Sequence, residues 1–242
     1  MTAHSGPVLA IVPARAGSKG VPDKNVRTLA GRTLLDRTAD AARRSGVIDR
    51  IILSTDSDAI AAAGKTAGLE VPFTRPSTLA QDDTPMLPVV RHAVDELSRR
   101  GWDAEFIVLL QPTSPLRTPD HIRDAVALLK KSGADSVVSV VEIPRHLSPD
   151  YVMRIDGDVL TPFLPDGARI SRRQDARAAY SRDGTVYAFR RSTLERYGNI
   201  YGERCLPLVI DSQDSLSIDS PADWHAAERI LGEREKDGAG AR

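Results

Sequence analysis

Three cationic side chains and two glycines stand close together after a short apolar run near the start of the chain. The run covers residues 8–12 and indicates a buried strand that ends at Pro13. The loop at residues 13–25, called the N-terminal loop below, carries Arg15, Gly17, Ser18, Lys19, Gly20, Lys24 and Asn25. Glycine lets backbone N–H groups approach an anion, a hydroxyl adds a donor, and arginine and lysine neutralise phosphate charge. The segment therefore predicts a phosphate-binding loop, although a plain turn with solvated cations would have the same composition.

The N-terminal loop matches neither of the two commonest nucleotide-binding motifs. The chain contains no G-x-x-x-x-G-K-[ST] and no G-x-G-x-x-G. These motifs are typical of P-loop NTPases and of dinucleotide-binding Rossmann domains. Both classes of protein therefore lose their main support in the sequence.

Two further polar side chains follow a second apolar run. Residues 106–110 are continuously apolar and predict a central parallel strand buried on both faces. Gln111 and Arg117 come directly after this run. Because ligands of open parallel sheets bind beyond the carboxyl ends of the strands, both residues are expected near the substrate.

The elements that must position these residues alternate along the chain. Strands are predicted at residues 8–12, 50–56, 106–110, 136–143, 185–190 and 206–210. Helices are predicted at residues 33–45, 58–67, 120–132 and 221–231, with one more that is capped by Thr84 and ends at Gly101, and a short one before the last strand. The chain end, residues 236–242, is expected to fray. Four strand–helix repeats predict an α/β fold with a doubly wound sheet.

One segment interrupts the alternation. Residues 144–184 hold four prolines, a predicted turn at Asp156-Gly157 and a basic run at residues 169–177. We interpret residues 144–184 as a lobe inserted into a single domain that covers residues 1–242.

Composition excludes several classes of protein. Lys plus Arg and Asp plus Glu number 33 each, so no overall charge attracts nucleic acid or an anionic membrane. The single cysteine, Cys205, excludes an intrachain disulfide, and no histidine or cysteine cluster has the spacing of zinc ligands. No apolar run approaches the ~20 residues that span a bilayer. We therefore expect a soluble, cytoplasmic protein with neither a nucleic-acid nor a membrane partner.

Three motifs together resemble those of the acylneuraminate cytidylyltransferases, the CMP-sialic acid synthetases. They read I-V-P-A-R-A-G-S-K-G-V-P-D-K-N, L-L-Q-P-T-S-P-L-R and S-I-D-S-P-A-D-W. The resemblance implies a three-layer α/β/α nucleotidyltransferase sandwich with a mostly parallel sheet, in which the lobe at 144–184 serves dimerisation and the acceptor side. It implies a homodimer that uses Mg²⁺ and converts CTP and an acidic sugar to a CMP-sugar and pyrophosphate.

The resemblance also implies roles for single residues. Those that would bind CTP are Arg15, Ser18, Lys19, Lys24, Asn25, Arg75 near the cytosine, and Thr84 at the base edge. Those that would face the acceptor are Gln111, Arg173 and Tyr187. Four of these residues also have a plainer interpretation. Arg75 could be a surface cation and Gln111 a cap at the end of a strand. Arg173 could belong to a solvated basic face, and Tyr187 could be an aromatic residue of the core.

The third motif departs from the family at one position. Asp219 matches a metal-binding aspartate, and with Arg15 and Lys24 it would form the catalytic group. The family commonly has D-x-D here, whereas this chain has Ser217-Ile218-Asp219. The change leaves open the number of metal ions and the group that activates the acceptor; Asp211 and Asp214 are possible substitutes.

Two alternatives to a sialic acid-like acceptor therefore stay open. A phosphonate acceptor, such as phosphonoformate in natural-product biosynthesis, is already ionised and needs no base. A nucleotide-binding protein of the same fold without turnover is the other alternative.

Overall fold

A six-stranded sheet forms the centre of the molecule. The computed structural model describes residues 6–165, 167 and 172–240. The strands are β1 (Val8–Pro13), β2 (Thr28–Leu29), β3 (Arg32–Thr33), β4 (Arg50–Ser54), β5 (Phe106–Leu109), β6 (Ser136–Glu142), β7 (Met153–Asp156), β8 (Val159–Pro162), β9 (Tyr180–Arg190) and β10 (Cys205–Val209). The α-helices are α1 (Leu34–Ser45), α2 (Asp58–Thr66), α3 (Met86–Arg99), α4 (Pro119–Ser132), α5 (Arg191–Tyr197) and α6 (Pro221–Gly240).

The sheet has the strand order β10-β6-β9-β5-β1-β4. Strand β1 lies parallel to both β4 and β5, and β10 lies parallel to β6. Only β9 among these six runs antiparallel, to β5 on one side and to β6 on the other. The prediction of an α/β fold with a mostly parallel sheet is therefore confirmed, and five strands end at the same edge.

Helices cover both faces of the sheet. All six residues of β1 are buried, and its side chains alternate between two clusters. Val8, Ala10 and Val12 pack in the cluster that contains α1 and α4, whereas Leu9 and Ile11 pack in the cluster that contains α3. A strand buried on both faces reads as a continuous apolar run, which explains the sequence pattern. The sheet and the helices on its two faces form the three-layer α/β/α sandwich that was expected.

Local capping signals fix several helix ends. Thr33 caps α1 in a capping box with Asp36, and Gly46 ends this helix at φ 71°. Thr118 caps α4 with Pro119 at the first helical position. Helix α6 starts at Pro221 as expected but continues to Gly240, so the prediction of an end at residue 231 is wrong. Residues 241–242 of the segment that is expected to fray lie outside the described residues.

The predicted cap of α3 is wrong. Pro85 adopts φ −61° and ψ 152°, an extended conformation outside the helix, so α3 begins at Met86 without a side-chain cap. Thr84 lies instead in a turn, where its N–H donates to the carbonyl of Gln81 at 3.2 Å.

The inserted segment contains short 3₁₀ turns and the β7–β8 hairpin, which turns at Gly157 with φ 67°. Strand β9 starts at Tyr180 rather than at residue 185, because Tyr180, Ser181 and Arg182 pair with the end of β6 beyond an irregularity in the register. The irregular part of the lobe is therefore shorter than predicted. Part of the predicted basic run lies outside the described residues.

None of the helices described is both long and apolar enough to cross a bilayer.

Candidate active site

A cleft of about 320 Å³ opens beyond the carboxyl ends of β1, β4 and β5. This opening is named the cleft. Residues from separate parts of the sequence line it, and they include the predicted site residues Arg15, Ser18, Lys19, Lys24, Asn25, Arg75, Thr84, Gln111 and Asp219. The fold thus brings together most of the residues that the motifs singled out, while their roles stay predictions.

Hydrogen bonds to the backbone of β4 and to the side chain of Asp56 beyond it hold the N-terminal loop in place. The N–H of Ala14 donates to the carbonyl of Ser54 at 3.0 Å, and the N–H of Ala16 donates to Oδ1 of Asp56 at 3.0 Å. Gly17 follows with φ 68°, a conformation that glycine adopts at little cost. The loop therefore leaves β1 in a fixed direction and presents its cations to the cleft.

Asp82 is a cleft residue that the sequence did not indicate. Its Oδ1 lies 2.6 Å from Nη2 of Arg15, and its Oδ2 pairs with Nζ of Lys19. Hydrogen bonds from Lys19 and Arg15 hold the pKa of the Asp82 carboxyl below its usual range. Asp82 is distant in sequence from the N-terminal loop, so only the fold reveals this pairing.

Lys24 connects the N-terminal loop to the segment at residues 217–220. Its Nζ donates to the carbonyl of Ile218 at 2.8 Å and lies 3.8 Å from Oδ1 of Asp219. Burial lowers the pKa of Lys24, and the charge of Asp219 opposes this shift. The site thus holds a half-buried ammonium group beside a carboxylate.

The same two segments touch through their backbones at Gly20. A Cβ atom at this position would lie 1.9 Å from the carbonyl oxygen of Asp219. Ile218, with no exposed surface, is packed in a cluster with Val21 and Trp224. Burial of Ile218 turns Ser217 and Asp219 outward, and Ser217 Oγ donates to Asp219 Oδ2 at 2.9 Å.

Arg75 is buried rather than a surface cation, so that plainer interpretation is wrong. Its Nε donates to Oγ of Ser54 at 3.1 Å, and its Nη2 donates to the carbonyl of the same residue. Burial lowers the pKa of Arg75 to about 10. The guanidinium forms part of the cleft wall and is fixed to the end of β4.

Arg117 supports the cleft from behind. Its buried guanidinium donates to the carbonyls of Gln111 at 2.5 Å and of Thr185 at 2.6 Å, and lies 3.4 Å from Oγ1 of Thr38. Burial lowers its pKa to about 9, against the opposing charge of Asp183. Arg117 therefore links the Gln111 loop to β9 and α1, whereas Gln111 itself lines the cleft.

Of the remaining predicted acceptor residues, only Tyr187 has a described side chain, and it is not among those that line the cleft. Tyr187 is partly buried on β9 and packs against the α3 side of the core, as the plainer interpretation has it. Burial raises the pKa of its hydroxyl. The side chain of Arg173 lies outside the described residues.

One carboxylate of the 217–220 segment is available for a metal ion. Asp219 has 74 % of its side chain exposed at the cleft. Asp211 accepts from the N–H of Gln213 at 2.8 Å, and Asp214 pairs with Arg234 at 2.7 Å, so both make structural contacts. Within the described parts of the chain, no three His, Cys, Asp or Glu side chains are grouped as metal ligands. A single exposed carboxylate fits Mg²⁺, which is commonly held by one or two carboxylates together with substrate phosphates.

Comparisons with known proteins show the family of the chain. The family model described as Cytidylyltransferase matches residues 9–217. The CMP-N,N'-diacetyllegionaminic acid synthase of Legionella pneumophila is 35 % identical over 227 residues, which cover 93 % of this chain and 96 % of that protein. The N-acylneuraminate cytidylyltransferase of Escherichia coli is 30 % identical over 92 % of this chain, which spans 52 % of that protein's length.

Solved structures show the same fold at lower identity. A CMP:2-keto-3-deoxy-manno-octonic acid synthetase complexed with CTP superposes with a TM-score of 0.71 at 15 % identity, covering 94 % of this chain and 99 % of that one. The 4-diphosphocytidyl-2C-methyl-D-erythritol synthase of Anaerococcus prevotii has a TM-score of 0.64 at 18 % identity, covering 93 % and 98 %.

Proposed function

Because the chain belongs to the cytidylyltransferase family, we propose that it transfers CMP from CTP to an acidic, sialic acid-like sugar and releases pyrophosphate. Its relatives are nucleotidyltransferases, and the chain is an enzyme of that class. The observation that carries the proposal is the cleft itself. Arg15, Lys19 and Lys24 line one side of it, while Gln111 and Asp219 also reach it from other segments.

The triphosphate of CTP would lie against the N-terminal loop. Three cations there offset its negative charge, and Ser18 and Asn25 add polar groups to the same wall. The base would lie toward Arg75 and Thr84, which are on the cleft wall formed by the segment between α2 and α3. The acceptor would approach from Gln111, with Tyr187 and Arg173 as proposed neighbours.

The reaction is an in-line displacement at the α-phosphorus. The hydroxyl oxygen of the acceptor forms the new O–P bond as the bond between the α-phosphorus and the oxygen that bridges to the β-phosphate breaks. Pyrophosphate takes the electron pair of that bond, and the hydroxyl proton passes to solvent. Arg15 and Lys24 would hold the phosphates in place and offset the charge that develops on them. Lys24 is already oriented for this by the carbonyl of Ile218.

Asp219 would hold Mg²⁺ at the cleft. The ion, when bound, supplies further charge neutralisation of the phosphates. Ser217 keeps the Asp219 carboxylate oriented through its hydrogen bond. One carboxylate in this segment supports the proposal of a single protein-held ion.

We propose a homodimer that forms through the inserted lobe. The β7–β8 hairpin and the residue after it expose large apolar side chains, which are Met153, Ile155, Val159, Leu160 and Phe163. Exposed apolar groups in one place are typical of an interface. Light scattering should give the mass of two chains, and a monomer at micromolar concentration would contradict the proposal.

The relatives' names do not support a phosphonate acceptor. The curated relatives described above are named for diacetyllegionaminic acid or for an acylneuraminate. We therefore retain the nonulosonate-like acceptor alone.

Pyrophosphate release from CTP across a panel of acidic sugars tests the function. We expect turnover with N-acetylneuraminate or N,N'-diacetyllegionaminate, and its loss in Lys24→Ala. Lys65, exposed in the last turn of α2, provides the matched control, and Lys65→Ala should keep full activity. Tight CTP binding without turnover on any acceptor would refute the proposal and indicate a binding protein.

A further inference from the structure

We propose that Asp82 competes with polyphosphate for Arg15 and Lys19, and so sets how tightly the site holds CTP and how readily it releases pyrophosphate. This inference rests on the proposed function, because it needs a polyphosphate in the cleft. It assigns control of ligand affinity and product release to a residue outside the three sequence motifs.

The geometry shows a carboxylate where a phosphate would bind. Each oxygen of Asp82 takes one cation, with Oδ1 2.6 Å from Arg15 Nη2 and Oδ2 paired with Lys19 Nζ. All three side chains line the cleft. A phosphate group likewise offers several oxygens to arginine and lysine. A phosphate that takes the same Nη2 of Arg15 and the same face of the Lys19 ammonium must therefore displace Asp82.

Asp82 lowers the affinity for polyphosphate only modestly, so the ligand can still bind. Exposed fractions of 78 % for Lys19, 43 % for Asp82 and 30 % for Arg15 place both pairs in contact with water. Ion pairs of this kind are weak individually, so replacing both reduces affinity for the ligand by on the order of 3- to 30-fold. CTP brings a base and a ribose that add binding elsewhere, whereas pyrophosphate has only its charges.

Pyrophosphate should therefore leave more readily with Asp82 present than without it, while the base and ribose keep CTP bound. As the product departs, the carboxylate can take back both cations, and the charge of the loop is never left uncompensated. Without Asp82, the cations would bind the product more tightly, and its release would slow.

Calorimetric titration with CTP and with inorganic pyrophosphate tests this role in wild type, Asp82→Asn and Asp82→Ala. Both variants should bind the two ligands about 3- to 30-fold more tightly, and the gain should shrink at high salt because exposed pairs are screened. In steady-state assays, inhibition by pyrophosphate should strengthen by a similar factor. A loop residue with an exposed side chain is suited to such variants, because no core contact is lost.

Asp83 provides the matched control. It is the next residue, it is exposed, and it forms no ion pair with the parts of the chain described here. Asp83→Asn removes the same charge near the same cleft, so its affinity should stay within about twofold of wild type. An equal gain in Asp83→Asn would show a general charge effect and overturn the proposal.

The remaining outcomes separate the two levels of inference. If the wild type turns over CTP but the Asp82 variants bind pyrophosphate no more tightly, the role of Asp82 is refuted and the proposed function stands. Wild type that binds neither CTP nor pyrophosphate refutes the function and this inference together.

Discussion

Replacing Gly20 with alanine should damage catalysis much more than folding. Gly20 has no positive φ, so alanine is acceptable to its own backbone. The added Cβ, however, would lie 1.9 Å from the carbonyl oxygen of Asp219, and Cβ atoms essentially never come within 3.0 Å of another atom. The N-terminal loop and the 217–220 segment must therefore separate by about 1.1 Å, the difference between these distances.

That separation acts on the catalytic group directly. Lys24 Nζ is held 2.8 Å from the Ile218 carbonyl and 3.8 Å from Asp219, and both distances depend on the contact at Gly20. A displacement of about 1 Å in a positioned group can cost about 10²-fold in rate. Overpacking costs about 1–3 kcal/mol of stability, so a folded protein should remain for assay.

The assay compares kcat/KM for CTP, the Mg²⁺ dependence of turnover and urea unfolding. Gly232→Ala is the matched control: this glycine lies in α6 with open space around it, and alanine should stabilise the helix by about 0.5–1 kcal/mol without changing kinetics. Gly20→Ala with kcat/KM within threefold of wild type would refute the reasoning, because the two segments would then not need their close approach.

Other substitutions test single steps. Arg15→Ala should lose about 2–4 kcal/mol of transition-state stabilisation, measured as a drop in kcat/KM; normal kinetics with only a stability loss would contradict its role. Asp219→Asn should abolish Mg²⁺-dependent turnover but keep metal-free CTP binding, measured by calorimetry; full turnover would show that Asp219 holds no ion. Burial lowers the pKa of His121 in the fold, so the unfolded chain binds a proton first and stability should fall as pH drops from about 6.5 toward the folded pKa. His121→Gln keeps an acceptor for the N–H of Thr118 and should make urea unfolding less pH-dependent, and an unchanged pH profile would exclude His121 as a source.

Local signals in the sequence predicted most of the framework. Thr33, Gly46 and Pro119 act within a few residues of their own positions, and each marks a helix end in the structure. The apolar runs of β1 and β5 likewise indicated buried strands, because a strand covered on both faces has apolar side chains at successive positions. The mis-placed start of α3 shows the limit of such signals, since Pro85 suits both the first helical turn and the extended segment before it.

Contacts between distant segments could not be predicted in this way. Nothing near Asp82 indicates that its partners are Arg15 and Lys19, because the pairing depends on how the loop between α2 and α3 folds over the cleft. The close approach of Gly20 to Asp219 is likewise a property of two segments at opposite ends of the chain. The motifs located both segments, whereas only the fold shows that they touch.

The position of β9 in the sheet has a consequence for the order of folding. This strand lies between β5 and β6, yet it is made after both of them and after the inserted lobe. Until β9 is present, the three strands β4-β1-β5 are not joined to β6. Each part then has an unpaired edge whose apolar side chains are buried only in the complete fold. Contacts that close so late along the chain form slowly, and open edges favour association between chains. A chain still on the ribosome, or one cut short before residue 180, should therefore aggregate. The last quarter of the protein is needed to keep the earlier part from associating with other chains.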